Sequence, residues 1–313
     1  MRRAFSPVII LVLSCVPAAS AQAAPFGVRL THYGDPATTV AVSWNSDVAT
    51  DNQVAWGTAP DVLTTTFVVP ASFTDAMPAP LGTSFSARLA GLQPSTTYYY
   101  RVGAPGAYYP SPPAAPLTFT TLSDDRCDPL RFVVIGDNRA DTNTGSPGGS
   151  DLYAGIIDES LASAPLLFVN TGDMVKNGDV ADEWDAMIRA SEATWSTIPS
   201  ITTQGNHDTG DPDGDGALYN RLYELPQNST TDTEDYYSID VGPVHFVSLN
   251  TQHLDASELP EMAAWLDADL AATTQPWRVA FFHKAVYSRG NHFTGEEEDA
   301  AGNLGVINRV LTP

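Results

Sequence analysis

Four apolar runs in this chain each stop at a residue able to hold a cation, and that repetition restricts the fold more than any other feature. Leu130 to Ile135 ends at Gly136-Asp137, and Leu166 to Val169 ends at Asn170-Thr171-Gly172-Asp173. The run Ile198 to Thr203 leads into Gln204-Gly205-Asn206-His207-Asp208, and Val279 to Phe282 ends at His283. Between them lie segments of helical period. Asp151 to Ser163 is one, with Leu152, Ile156 and Leu161 expected inward, and Asp179 to Trp195 is another. Ser257 to Ala272 is a third, with Ser257 as N-cap, and a last helix is expected from about Glu296 to Val310. Tyr236 to Val241 and Val244 to Leu249 read as a hairpin turning at Gly242-Pro243. Strand, reactive residue, loop and helix in repetition predict an α/β unit. Its ligand-binding groups should gather outside the carboxyl ends of the strands, at one rim of a single sheet.

The chain has a different rhythm before residue 123. Val40-Ala41-Val42-Ser43-Trp44 alternates, as does Asn52 to Trp56, and Phe85 to Leu89 leads into Leu92 to Val102 through Pro- and Gly-containing breaks. Short strands so spaced predict a β-sandwich over 24–122, in which Trp44 and Tyr98 to Tyr100 serve as packing. A polar linker, 123–130, precedes the α/β unit at 131–313. Residues 1–23 have the pattern of a cleaved signal peptide: Arg2 and Arg3, the apolar stretch Val8 to Val16, then Ala19-Ser20-Ala21. The expected location is therefore secreted or periplasmic, with a lipoprotein attached at Cys15 as the alternative. Cleavage would leave Cys127 alone and the fold without an intrachain disulfide. Among 313 residues, 15 basic and 37 acidic side chains give a formal charge of −22, which opposes binding to nucleic acid or anionic membranes. An anionic substrate would need cations placed locally.

Asp137, Asp173, Asn206 and His283 offer two carboxylates, an amide and an imidazole. These are the donors a two-metal hydrolytic centre needs to activate water and clamp a phosphate. His207 lies beside a ligand and suits work on the substrate or its leaving group, and Asp208 is expected to fix the tautomer and orientation of His207.

In their order, Gly136-Asp137, Gly172-Asp173, Gly205-Asn206-His207-Asp208 and Phe281-Phe282-His283 resemble four of the five sequence blocks of calcineurin-like metallophosphoesterases. Leu92-Gln93-Pro94-Ser95-Thr96-Thr97-Tyr98 resembles a fibronectin type III corner. Together with Ala285-Val286-Tyr287-Ser288 it makes the chain similar to purple acid phosphatases. The resemblance implies that Asp137 holds the first metal, that Asp173 bridges, and that Asn206 and His283 hold the second. It also implies that His207, with Asp208, is catalytic. Two metal ions are implied (Fe, Zn or Mn), along with an activity of phosphomonoesterase type in which metal-bound hydroxide attacks phosphorus.

Four features depart from that pattern or lie outside it. Lys176 stands where the family has an iron-binding tyrosine, and Arg139 where relatives often have a histidine. Both are expected to bind phosphate oxygens, as is His292. The family's fifth block, Gly-His-x-His, does not occur before Pro313, so the phosphoesterase domain is expected to be C-terminally incomplete, with two ligands left for the first metal and three for the second. That loss keeps open a non-catalytic secreted binding protein, and diester or nucleotide substrates are further alternatives. Asp211, Asp213 and Asp215 resemble a calcium loop, but its twelfth position is Leu222.

Overall fold

A computed structural model describes residues 25–140, 149–209, 216–231, 233–251 and 258–284. The signal segment with Cys15, the calcium-like loop at Asp211, Asp213 and Asp215, Ser257, His292 and the last expected helix lie outside them.

The N-terminal strands are β1 (Phe26–Thr31), β2 (Val40–Ser46), β3 (Gln53–Gly57), β4 (Thr65–Val68), β5 (Thr74–Ala76), β6 (Thr83–Leu89), β7 (Thr97–Gly103) and β8 (Leu117–Thr120). They build a sandwich of one layer ordered β5-β6-β2-β1 and another ordered β4-β3-β7-β8. Alternation decides what lies between the layers. Val40, Val42 and Trp44 point inward from β2, Tyr98, Tyr100 and Val102 from β7, and the Trp44 and Phe85 rings stack at 5.4 Å. Trp44, Tyr98 and Tyr100 are core, as their spacing predicts, while Tyr99 lies half-buried on the other face of β7.

The second half contains β9 (Phe132–Ile135), α1 (Gly149–Ser160), β10 (Leu167–Asn170), α2 (Ala181–Trp195), β11 (Ser200–Thr202) and α3 (Ala217–Leu222). They are followed by β12 (Tyr237–Val241), β13 (Val244–Ser248), α4 (Glu258–Ala272) and β14 (Trp277–Phe281). Strands β9, β10 and β11 are parallel neighbours. The hairpin β12-β13 belongs to a separate sheet, in which β14 pairs parallel with β13. One expectation therefore needs correcting. The four cation-binding positions do not share a sheet, because His283 follows a strand of the second one.

Side chains between the two sheets hold them face to face. Phe132 meets Phe246 edge-on at 5.1 Å. The Tyr237 hydroxyl donates to Thr202 O and accepts from Thr202 N–H at 2.7 and 3.1 Å, tying the second sheet to β11. Helix α1 also corrects its expected face. Ile156 is 57% and Leu161 38% exposed, whereas Tyr153 and Ile157 are buried, with Tyr153 edge-on to Trp195 of α2. The two faces are offset by one residue, about 100° around the helix, and contact with α2 decides between them.

Strand β1 joins the halves. It pairs antiparallel with β2 and parallel with β11 at Thr31 and Ser200, making one seven-stranded sheet. Phe26 at its start is buried in the core of the α/β half.

Candidate metal centre

Three of the cation-binding positions sit on loops that leave β9, β10 and β11 at their carboxyl ends, and two glycines let those loops touch. A Cβ on Gly172, whose φ is +94°, would fall 2.5 Å from Gly205 N, and one on Gly205 would collide with Asp173. Only glycine allows so close an approach. Asp137 and Asp173 both have φ +55°, in the left-handed region that aspartate tolerates better than most residues. Hydrogen bonds lock that conformation: Asp137 N–H donates to Gly172 O and Arg139 N–H to Asp173 O.

Asp208 fixes the same loops from below. Its carboxylate is fully buried and accepts the backbone N–H groups of Asp173, Met174, Val175 and Gly205 at 2.7 to 3.2 Å. Burial raises its pKa to about 6, against the pull of those N–H groups, and the charge of Asp173 pushes the same way as burial. The expectation that Asp208 sets the His207 tautomer is corrected here, since both its oxygens are bound to backbone. The Lys176 carbonyl sets it instead, 2.6 Å from His207 Nδ1. A carbonyl can only accept, so Nδ1 carries hydrogen. Nε2 then stands 4.0 Å from Asp173 Oδ2.

His283 is oriented in the same way from the other sheet. Its Nδ1–H donates to Thr171 O at 3.0 Å, which leaves Nε2 facing Asp173 Oδ1 at 3.3 Å. A backbone carbonyl behind the imidazole is the usual support of a metal-ligating histidine. One ligand atom from each of Asp137, Asp173 and His283 lies within 4.8 Å of the others. Asp173 is fully buried. Burial opposes its ionisation, but the bond with His283, the His207 N–H and the two imidazoles outweigh it and hold its pKa at about 2. The His283 pKa is raised despite burial, because Asp173 and Asp137 favour positive charge at that place. Asn206 is exposed on the same loop, next to His207, whose N–H donates to Asp173 Oδ1 at 3.0 Å.

The two cationic side chains differ in placement. Lys176 is exposed, and its backbone N–H is bound by Glu183 of α2. The Arg139 guanidinium lies on the carboxylates, with Nε and Nη2 at 2.9 and 2.7 Å from Asp173 Oδ2 and Nη2 at 3.7 Å from Asp137 Oδ1. Glu183 went unnoticed in the sequence, and so did the Thr171 and Lys176 carbonyls. Backbone oxygens leave no trace in residue identity, and an acidic residue in the first turn of a helix reads as ordinary dipole compensation.

Comparison with known proteins bears on this geometry. Residues 130–309 match the calcineurin-like phosphoesterase family model. The chain belongs to that family. Residues 25–121 match the purple acid phosphatase N-terminal domain. Purple acid phosphatase 22 of Arabidopsis thaliana is 28% identical over 219 residues, covering 67% of this chain and 46% of its own length. Purple acid phosphatase 23 of the same plant is 28% identical over 239 residues, covering 65% and 49%. The chain thus spans about half the length of those relatives. In fold it is similar to purple acid phosphatase PPD1 from yellow lupin (Lupinus luteus) seeds, with a TM-score of 0.67 at 19% identity, covering 85% of this chain and 52% of that one. It is likewise similar to PhoD, with a TM-score of 0.59 at 15% identity, covering 87% and 64%.

Family membership implies a dinuclear metal centre, and the donors fit one chemically. Carboxylate, amide and imidazole suit the borderline-to-hard ions Zn, Fe and Mn, and the buried anionic Asp173 sits between Asp137 and His283.

Proposed function

We propose that this phosphoesterase is an exported, metal-dependent phosphoric ester hydrolase acting first on monoesters, in the manner of an acid phosphatase. The observation that carries the proposal is the meeting of Asp137, Asp173 and His283 from two different sheets, with the His207 ring beside them. Asp137, Asp173, Asn206 and His283 would hold the ions. When bound, these supply Lewis acidity toward the phosphoryl oxygens and a nucleophilic water near neutral pH.

The remaining roles fall to side chains. His207, held by the Lys176 carbonyl through Nδ1–H, turns Nε2 toward the centre. In its protonated form it gives the Nε2 proton to the ester oxygen as the P–O bond breaks, so that an alcohol leaves instead of an alkoxide. Lys176 stands at the rim as a cation for a phosphate oxygen. Asp208 acts through the loops it ties together and touches no substrate.

The test is hydrolysis of p-nitrophenyl phosphate and bis(p-nitrophenyl) phosphate by the protein loaded with Mn, Zn or Fe. Monoester turnover should dominate, vanish with a chelator, and vanish in Asp173→Asn together with metal binding. A metal-free active protein, or a diester preference, would refute the assignment.

A further inference from the structure

We infer that Arg139 competes with one of the two ions, so that the centre loads in order, with one ion bound tightly and the other weakly. The inference rests on the metal-dependent reading above. The two oxygens of Asp173 have separate duties in this chain. Oδ1 faces His283 Nε2 at 3.3 Å and takes the His207 N–H at 3.0 Å. Oδ2 takes two guanidinium nitrogens of Arg139, at 2.9 and 2.7 Å. The same guanidinium reaches Asp137 Oδ1 at 3.7 Å, so it spans the two carboxylates that an ion on the Asp137 side would share.

The placement comes from the backbone and not from a long side chain wandering. Arg139 has φ +41°, and its N–H donates to Asp173 O at 2.8 Å. The next residue, Ala140, pairs with Val175 in a parallel bridge. The Asp137 loop is thus laced to the Asp173 loop on either side of the guanidinium, which leaves from a fixed point. An ion on the His283 side meets Oδ1 and an imidazole nitrogen, a group that becomes a ligand on giving up its hydrogen. The guanidinium, by contrast, keeps its charge and has no lone pair to offer. An ion on the Asp137 side must displace charged hydrogen bonds and then tolerate a positive neighbour a few ångströms away, or expel it. The Arg139 side chain is 43% exposed, so it can swing outward, where it meets the phosphate of a bound ester. Substrate, the second ion and the outward arginine therefore favour one another.

The test is titration of the metal-free protein with Mn2+, followed by calorimetry and by electron paramagnetic resonance, with Arg139→Gln and Arg139→Lys alongside. The wild type should bind one ion tightly and a second at least about tenfold more weakly, judged from the charge left beside that site. Arg139→Gln should tighten the second ion by a similar factor and leave the first unchanged, and its spin-coupled pair signal should grow in at lower Mn2+. Arg139→Lys should fall between the two. Equal affinities in the wild type, or a second affinity untouched in Arg139→Gln, would overturn the inference while leaving the proposed activity standing. Failure of the wild type to bind Mn2+ at all would overturn both.

Discussion

Asp208 and His207 are neighbours with opposite duties, and substitution should separate them. Asp208 receives four backbone N–H groups from two loops with its carboxylate fully buried. Asp208→Ala would orphan those donors, at about 1 to 3 kcal/mol for each that water cannot reach. We expect a loss of about 3 kcal/mol or more in urea unfolding, with metal affinity falling in parallel because the Asp173 loop loosens. His207 is half-buried, and its ring makes one bond to a carbonyl. His207→Ala should change stability by about 1 kcal/mol or less, spare metal stoichiometry, and depress turnover by about a hundredfold or more. Loss of metal in His207→Ala would mean that the ring is a ligand and not an acid.

Among the elements, the hairpin β12-β13 is fastened to α4 by an ion cluster that the sequence disguised. His245, mid-strand in an apolar run, reads as packing. It is buried, with Nδ1 at 2.7 Å from Asp240 and Nε2 at 2.7 Å from Asp269 of α4, which also accepts the Ser238 hydroxyl. Burial opposes protonation, but the bonds and charges of Asp269 and Asp240 override it and raise the His245 pKa above 6.5. The linkage follows from that sign. A base with a raised folded pKa stabilises fully below its unfolded value, and that contribution is lost as pH rises through the folded pKa. Wild-type unfolding free energy should therefore fall on the alkaline side of pH 6.5, and His245→Gln should flatten that slope while costing about 2 kcal/mol at pH 6. Equal slopes in thermal scans from pH 6 to 9 would show that the cluster does not ionise as argued.

For the whole molecule, the joint between the halves is polar and buried. Arg29 of β1 is fully buried and donates to Leu222 O at 2.6 Å, to Gly27 O at 2.8 Å and to Asn45 Oδ1 at 2.9 Å. Thr31 donates to Glu224 O, Tyr100 to Ser196 O, and Arg88 pairs with Glu224. Burial lowers the Arg29 pKa to about 10, though Tyr223 and Glu192 nearby work against that. The guanidinium is held by carbonyl and amide oxygens from both halves, so Arg29→Leu would strand buried acceptors on each side. It should cost about 3 kcal/mol or more, read as a lower urea midpoint. Arg88→Ala should cost less, since that side chain is 30% exposed. Equal costs would mean the joint is fixed by apolar packing instead.

What the sequence determined was local. Alternation in Val40 to Trp44 specified a strand face, the Gly-Asp and Gly-Asn pairs specified tight loops at strand ends, and residue chemistry named Asp137, Asp173, Asn206 and His283 as donors. Each depends on neighbours along the chain, within reach of period and turn chemistry. What the tertiary structure alone decided was which surfaces meet. It brought His283 across from a second sheet, gave Asp208 to four backbone groups, laid Arg139 on Asp173, and let β1 serve two halves at once. Those contacts join residues far apart in the chain through backbone atoms and interdigitating rings, and a linear order of side chains carries neither.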